Sequence, residues 1–384
     1  MLPLLPLYCI TVTLGLSLAC TLTLFFPTCP SIIPALTTYG VSALYLRDKI
    51  QLIRAISVPK RWFWHFYLLG SFWAVSWLLY CLAVSHDMTT PTDSLRNALA
   101  WLTPAKPQHN WSTTLLGLSL VVFHVGRRLW ETLCISVYSD TTMNIFHYMV
   151  GLIHYTILPL AIVCESKGIA DSRYGLMFTT SAISSVQWFG VALFLFCNRE
   201  QHSISRDIAA LRKAPDGSGL VYNYAHGICY GGWFEYVSCP HFLFEIGIYL
   251  SLWMVLPRCY AYQFLAIFVA VNQLFAAQIT HRWTVPVKGK RQLVLQSKLI
   301  DLITQFNNGD GVSIQLKRII GVMLEKVSRT DELVRRNLDL EELVESQIAE
   351  NARLRKEIAA LKNSNMGLDE VPPPQCDALK SEIF

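Results

Sequence analysis

The chain has 384 residues, of which 53% are hydrophobic, 12% aromatic and only 15% charged, and it carries a formal net charge of +5. A soluble domain has about a quarter of its residues charged, so this composition excludes an ordinary water-soluble enzyme, and the basic surplus is too dispersed to form a nucleic-acid patch. The eleven cysteines are scattered without a Cys-x-x-Cys pair or metal-ligand spacing, and there is no Gly-rich phosphate loop or dinucleotide fingerprint.

Seven apolar runs lie at 2–26, 63–85, 113–126 with an extension to 138, 142–164, 175–197, 240–256 and 260–280. Several approach the ~20 residues needed to cross a bilayer. The first run has no basic segment before it and is too long for a signal-peptide core, so it reads as a span. Basic residues gather after alternate runs: Arg47, Lys49, Arg54, Lys60 and Arg61; Arg127 and Arg128; Arg199, Arg206, Arg212 and Lys213; Arg282, Lys288, Lys290 and Arg291. The other loops hold only Arg96, Lys106, Lys167, Arg173 and Arg258. By the positive-inside tendency the N-terminus is expected outside the cytosol and the C-terminus inside it. The expected fold is an all-α membrane protein with seven transmembrane helices over 1–283, followed by a cytosolic helical tail. Asn110-Trp111-Ser112 is a glycosylation sequon on the outer side, but it abuts the third run.

Three polar stripes interrupt the apolar pattern. In the third run His124, Arg127, Arg128 and Glu131 fall at i, i+3, i+4 and i+7, on one helical face. They line a cavity, or Arg127 and Arg128 form only a topogenic pair that Glu131 partly neutralises. In the fourth run Asn144, His147 and Tyr148 are followed a heptad later by His154 and Tyr155, as site lining or as interhelical hydrogen bonds. In the sixth, His241, Glu245 and Tyr249 lie at i, i+4 and i+8. An ionisable group at mid-bilayer costs roughly 2.5–3.5 kcal/mol on insertion scales, so it faces a bundle interior or a wet cavity and marks a functional site. The alternative is an interfacial helix end.

Residues 284–329 read as a helical linker, 330–362 as a short coiled coil and 363–384 as a disordered end. The seam has Thr330, Asn337, Val344, Asn351 and Ile358 at one position and Leu333, Leu340, Gln347, Leu354 and Leu361 at the other. Asn within such a seam specifies a homodimer register; the competing reading is a solvated single helix.

The chain resembles the polyprenol reductase branch of the steroid 5-alpha-reductase family. The resemblance rests on Val58-Pro59-Lys60-Arg61 through His65-Phe66-Tyr67, His124 with Arg127-Arg128-Leu129 and Glu131, Leu211-Arg212-Lys213, Gly232 through His241 with Glu245 and Tyr249, and Asn272-Gln273 before His281. It covers about residues 40–283, and the 232–249 block is its most specific part. It implies a seven-helix fold in the endoplasmic reticulum membrane, NADPH as cofactor and saturation of a carbon–carbon double bond beside an oxygen function. His124 stands where steroid reductases have a tyrosine that hydrogen-bonds the substrate oxygen, with Arg127 and Glu131 on the same catalytic stripe. Arg212, His241, Glu245, Tyr249, Asn272 and His281 would contact the cofactor, and Lys60 and His65 would lie on the substrate side.

Hydride adds to a double bond when the developing charge has a sink, which a conjugated aldehyde provides and an allylic alcohol does not. The expected substrate is therefore a long-chain polyprenal, reduced to dolichal for dolichol-dependent protein glycosylation. The alternatives are a 3-oxo-4-ene steroid as substrate, an inactive reductase-derived dimeric scaffold, and a seven-span receptor that topology alone recommends. The chain departs from the family after Trp283, where Thr284-Val285-Pro286 replaces a segment that helps close the cofactor site.

Overall fold

Inside a bilayer every backbone N–H and C=O needs an internal partner, so apolar runs of this length are satisfied as helices. The computed structural model describes residues 3–26, 30, 32–37, 51–103, 106–170, 177–214, 218–221, 224, 227–281, 350 and 353. The chain divides into two compact units, Met1–Val285 and Pro286–Phe384. The predicted linker, coiled coil and loose end lie outside the described residues except for Glu350 and Arg353, as does the departure after Trp283.

All seven apolar runs contain a long helix. These are α1 (Leu4–Phe25), α2 (Trp64–Ser85), α3 (Trp111–Trp130), α4 (Ile145–Val163), α5 (Ser185–Ala210) and α6 (Pro240–Val255), followed by α7 (Tyr260–His281). Among the described residues four segments are long and apolar enough to cross a membrane: Leu4–Phe25, Lys60–Ser85, Ile145–Val163 and Tyr260–His281. α6 is apolar but has only 16 residues, while α3 and α5 run on into charged residues at their C-terminal ends. The chain is thus a mainly helical, multi-pass membrane protein.

Local signals set the helix boundaries. Asn110 caps α3 by accepting from the Thr113 N–H at 2.8 Å and gives one amide N–H to the Ala182 carbonyl at 3.1 Å. α5 starts at Ser185, later than the 175 expected from hydropathy, because Ser184 and Gln187 form a reciprocal capping box after a separate turn at Thr180–Ala182. Asn144 caps α4, and Pro240 begins α6 at a position where its missing N–H costs nothing. Gly231 and Gly232, with φ of 83° and 53°, form the left-handed turn before that entry.

Small residues let the helices approach closely. A Cβ on Gly151 of α4 would lie 2.9 Å from the Phe66 ring of α2, and one on Gly70 of α2 would lie 3.0 Å from Tyr155 of α4. On the other side, Gly190 of α5 meets Ser251 and Met254 of α6, and Gly247 of α6 meets Cys197 of α5. A two-stranded antiparallel ladder, Ser57–Pro59 against Thr142–Asn144 with Val58 opposite Met143, ties the entry of α2 to that of α4. This ladder brings Lys60 beside Thr141, whose carbonyl accepts the Lys60 backbone N–H at 2.9 Å.

Candidate active site

Helices α2 to α7 enclose a cavity of about 550 Å³, within the usual range for a small-molecule site. Its lining carries three cationic side chains, Lys60, Arg128 and Arg212, and among the described residues one carboxylate, Glu245. His154, Gln201, His241 and Asn272 add polar groups to mainly apolar walls.

A network of charges and amides forms one wall. Glu131, fully buried in a single π-helical turn after α3, accepts from Arg127, from Arg128 at 2.5 Å and from His202 at 2.7 Å. The second nitrogen of Arg128 and its Nε donate to the Tyr67 hydroxyl at 2.9 and 3.3 Å. Arg127 continues the network onto α5, donating from Nε to Asn198 Oδ1 at 3.0 Å and from Nη2 to Gln201 Oε1. Gln201 then donates its amide to the Glu245 carboxylate and to the His241 carbonyl. One amide side chain thereby couples the α3 arginine to the α6 carboxylate.

His124 lies behind this wall, only 2% exposed. Its Nδ1 meets Asn198 Oδ1 at 3.1 Å, while its Nε2 makes no hydrogen bond among the described residues and stands 3.6 Å from Glu245 Oε1. It borders a separate pocket of about 10 Å³ with Tyr249 and does not line the larger cavity. Tyr249 shares a 2.7 Å hydrogen bond with His154 Nε2. His241 leaves its Nδ1 buried without a hydrogen-bond partner among the described residues.

A polyanionic dinucleotide fits this arrangement on two observations: the cationic surplus of the lining and, among the described residues, the unpartnered Nδ1 of His241 within it. Arg212, just beyond α5, donates to the Val137 carbonyl, and burial draws its pKa below the ordinary arginine value. Its guanidinium, the Lys60 ammonium and the Asn272 amide supply donors for phosphate and hydroxyl oxygens.

A family model described as 3-oxo-5-alpha-steroid 4-dehydrogenase matches residues 141–288. The polyprenal reductase of Caenorhabditis elegans is 48% identical over 285 residues, covering 73% of this chain and 90% of that protein. Polyprenal reductases of Danio rerio and Homo sapiens are 33% and 29% identical, over 62% and 61% of this chain and 76% and 78% of their own lengths. The chain belongs to the steroid 5-alpha-reductase family, in its polyprenal reductase branch.

Within that family setting, the sequence-derived candidates fall into two groups. Lys60, Arg212, His241, Glu245 and Asn272 line the large cavity. His124, Arg127 and Glu131 form the network behind it, and the Tyr249 ring packs edge-on against that of His124. Two candidates lie outside the lining: His65 bonds the Tyr148 hydroxyl at 2.8 Å, and His281, at the end of α7, bonds the Ser238 hydroxyl at 2.7 Å. Asn198, Gln201 and His202 went unrecognised, although their i, i+3, i+4 spacing puts three polar side chains on one face at the end of an apolar helix.

Proposed function

We propose that the chain reduces the α-isoprene double bond of a long-chain polyprenal with NADPH, giving the dolichal on the route from polyprenol to dolichol. The observation that carries this reading is a cationic cavity with one buried carboxylate, within a membrane protein of this family. The aldehyde argument and the names of the relatives point to the same substrate. Bound NADPH supplies a hydride. Lys60 and Arg212 hold its phosphates, while His241, Glu245 and Asn272 orient the nicotinamide end by hydrogen bonds. The His124 stripe, which reaches the cavity lining at Arg128, stabilises charge that develops on the aldehyde oxygen, and His65 serves the substrate side.

The protein sits in the endoplasmic reticulum membrane with seven crossings, a lumenal N-terminus and a cytosolic C-terminus, an orientation that the clustering of basic residues after alternate runs supports. Residues 1–283 form the reductase, and the 330–362 seam pairs two chains. A Leu340→Pro, Leu354→Pro double substitution removes that pairing, because proline costs about 3 kcal/mol or more in a helix interior; undiminished crosslinking would place the contact elsewhere.

The deciding assay follows NADPH oxidation by the full chain in nanodiscs, with polyprenal or with a 3-oxo-4-ene steroid. Turnover with polyprenal alone is expected. Turnover with the steroid alone assigns the other branch of the family, and none with either makes the chain a scaffold.

A further inference from the structure

Which nitrogen of His124 carries a proton follows from its neighbours. The Asn198 amide is fixed in orientation: its Nδ2 donates to the Phe194 carbonyl at 2.8 Å and its Oδ1 accepts from Arg127 Nε at 3.0 Å. Oδ1 can only accept, so the 3.1 Å contact requires His124 Nδ1 to be the donor. The competing contact, Arg127 Nη2 to the same Nδ1, is 3.5 Å and gives way to the shorter one. A neutral His124 would therefore turn the bare lone pair of Nε2 toward Glu245 Oε1 at 3.6 Å, with no other hydrogen-bond partner for Nε2 among the described residues. Two lone pairs facing each other in a buried site are repulsive.

We infer that His124 and Glu245 hold one proton between them, as imidazolium and carboxylate or as imidazole and carboxylic acid, and that this shared proton is the one the reduction consumes. Asn198 is the positioning residue that fixes the tautomer. The inference deepens the proposed reduction and rests on it for the substrate. Saturating the conjugated bond adds a hydride, with its two electrons, at the β-carbon from the reduced nicotinamide, and a proton at the α-carbon, directly or by way of the oxygen. Of the pair only Glu245 lines the cavity, so the proton leaves through its carboxyl and His124 refills it. The pair ends as neutral imidazole and carboxylate and regains a proton from solvent.

Charged and titratable groups face the pair from α3 to α7, among them the buried hydroxyls of Tyr155 on α4 and of Tyr262 on α7, the latter donating to the Tyr249 carbonyl at 3.0 Å. Arg127 and Arg128 of α3 are answered by Glu131, which also takes His202 of α5. α4 contributes His154, held to Tyr249 of α6, and α6 also carries His241. Because the proton is a reactant, activity should be present at low pH and lost as pH rises through deprotonation of the pair.

The test uses the full chain in nanodiscs. In substrate-free protein, either an infrared carboxylic-acid band that disappears in Glu245→Gln, or ¹⁵N signals of a doubly protonated ring that disappear in His124→Gln, is expected. Absence of both would overturn the inference. Asn198→Leu should lower kcat on the order of a hundredfold, with the KM for NADPH unchanged within about twofold. Asn198→Asp retains the acceptor and should keep the alkaline loss of activity, moved to higher pH. Equal losses and the parent pH profile in both variants would also overturn it. The spectroscopic arm needs no turnover: a shared proton in a chain inert toward polyprenal supports the pair and removes the substrate reading, whereas turnover without the proton does the reverse.

Discussion

Buried carboxylates occupy opposite ends of α4 and α7, and they are satisfied in different ways. Glu165, just after α4 and fully buried, accepts the Thr103 hydroxyl at 2.8 Å and the Tyr260 and Ala261 backbone N–H groups at 2.7 Å each. Those amides belong to the first turn of α7, where a negative group is favoured. Burial still keeps the Glu165 pKa above the ordinary carboxylate value. At the cavity end, Glu131 and Glu245 are met by arginine, histidine and amide side chains instead. The Glu165 carboxylate closes a joint with backbone partners. Among the described residues buried imidazole nitrogens without a hydrogen bond occur at both ends, on His124 and His241 beside the cavity and on His109 beside the joint, so what separates the ends is the kind of partner each carboxylate has.

The largest effect that would test this contrast is expected at Glu131. Glu131→Ala leaves two partly buried arginines without their fully buried carboxylate, a loss of about 3 kcal/mol, and should abolish turnover together with the thermal unfolding transition in detergent. Glu165→Ala is expected to cost less, about 1–3 kcal/mol for the donors it leaves unsatisfied, and turnover per folded molecule should persist. A folded Glu165→Ala protein without turnover would break the distinction between joint and site.

The helical bundle and half of the site were legible in the sequence because hydropathy and 3.6-residue spacing are local properties. The stripes at His124–Glu131 and His241–Tyr249 show their helical faces without tertiary information. Which of those residues reach the cavity was not legible. His124 and Tyr249 are recessed behind Glu245, a depth set by the packing of α3, α5 and α6. Gln201 and Asn198 carry no charge, so an eye for ionisable groups passes them over, although they connect Arg127 to Glu245 and fix His124. Glu165 and its backbone donors, 95 and 96 residues apart in sequence, meet only through the fold.

A smaller effect separates cofactor contacts from the network behind them. Arg212→Ala and Lys60→Ala should each weaken NADPH binding about tenfold, or roughly 1.4 kcal/mol, with little change in unfolding temperature. Cofactor titration by nicotinamide fluorescence measures this, and unchanged affinity in both variants would move the phosphates elsewhere.

The smallest expected effect belongs to the closed end. His109 adjoins the Glu165 joint, where the Gln108 N–H bonds the Glu165 carbonyl and the Lys167 N–H bonds the His109 carbonyl. Burial pulls the His109 pKa down to about 4 from an ordinary 6.5. A histidine whose folded pKa is depressed binds fewer protons folded than unfolded. Its contribution is therefore intact above about pH 6.5 and is lost as pH falls toward 4, reaching about 1 kcal/mol by pH 6. The unfolding temperature of the parent should fall between pH 7.5 and 6, and His109→Leu should flatten that slope; parallel slopes would show that the ring is already hydrated. Acid acts here on stability, whereas the His124–Glu245 proton is lost on the alkaline side and acts on turnover. Measuring stability and kcat over the same pH range should therefore show the two ends of the bundle responding in opposite directions.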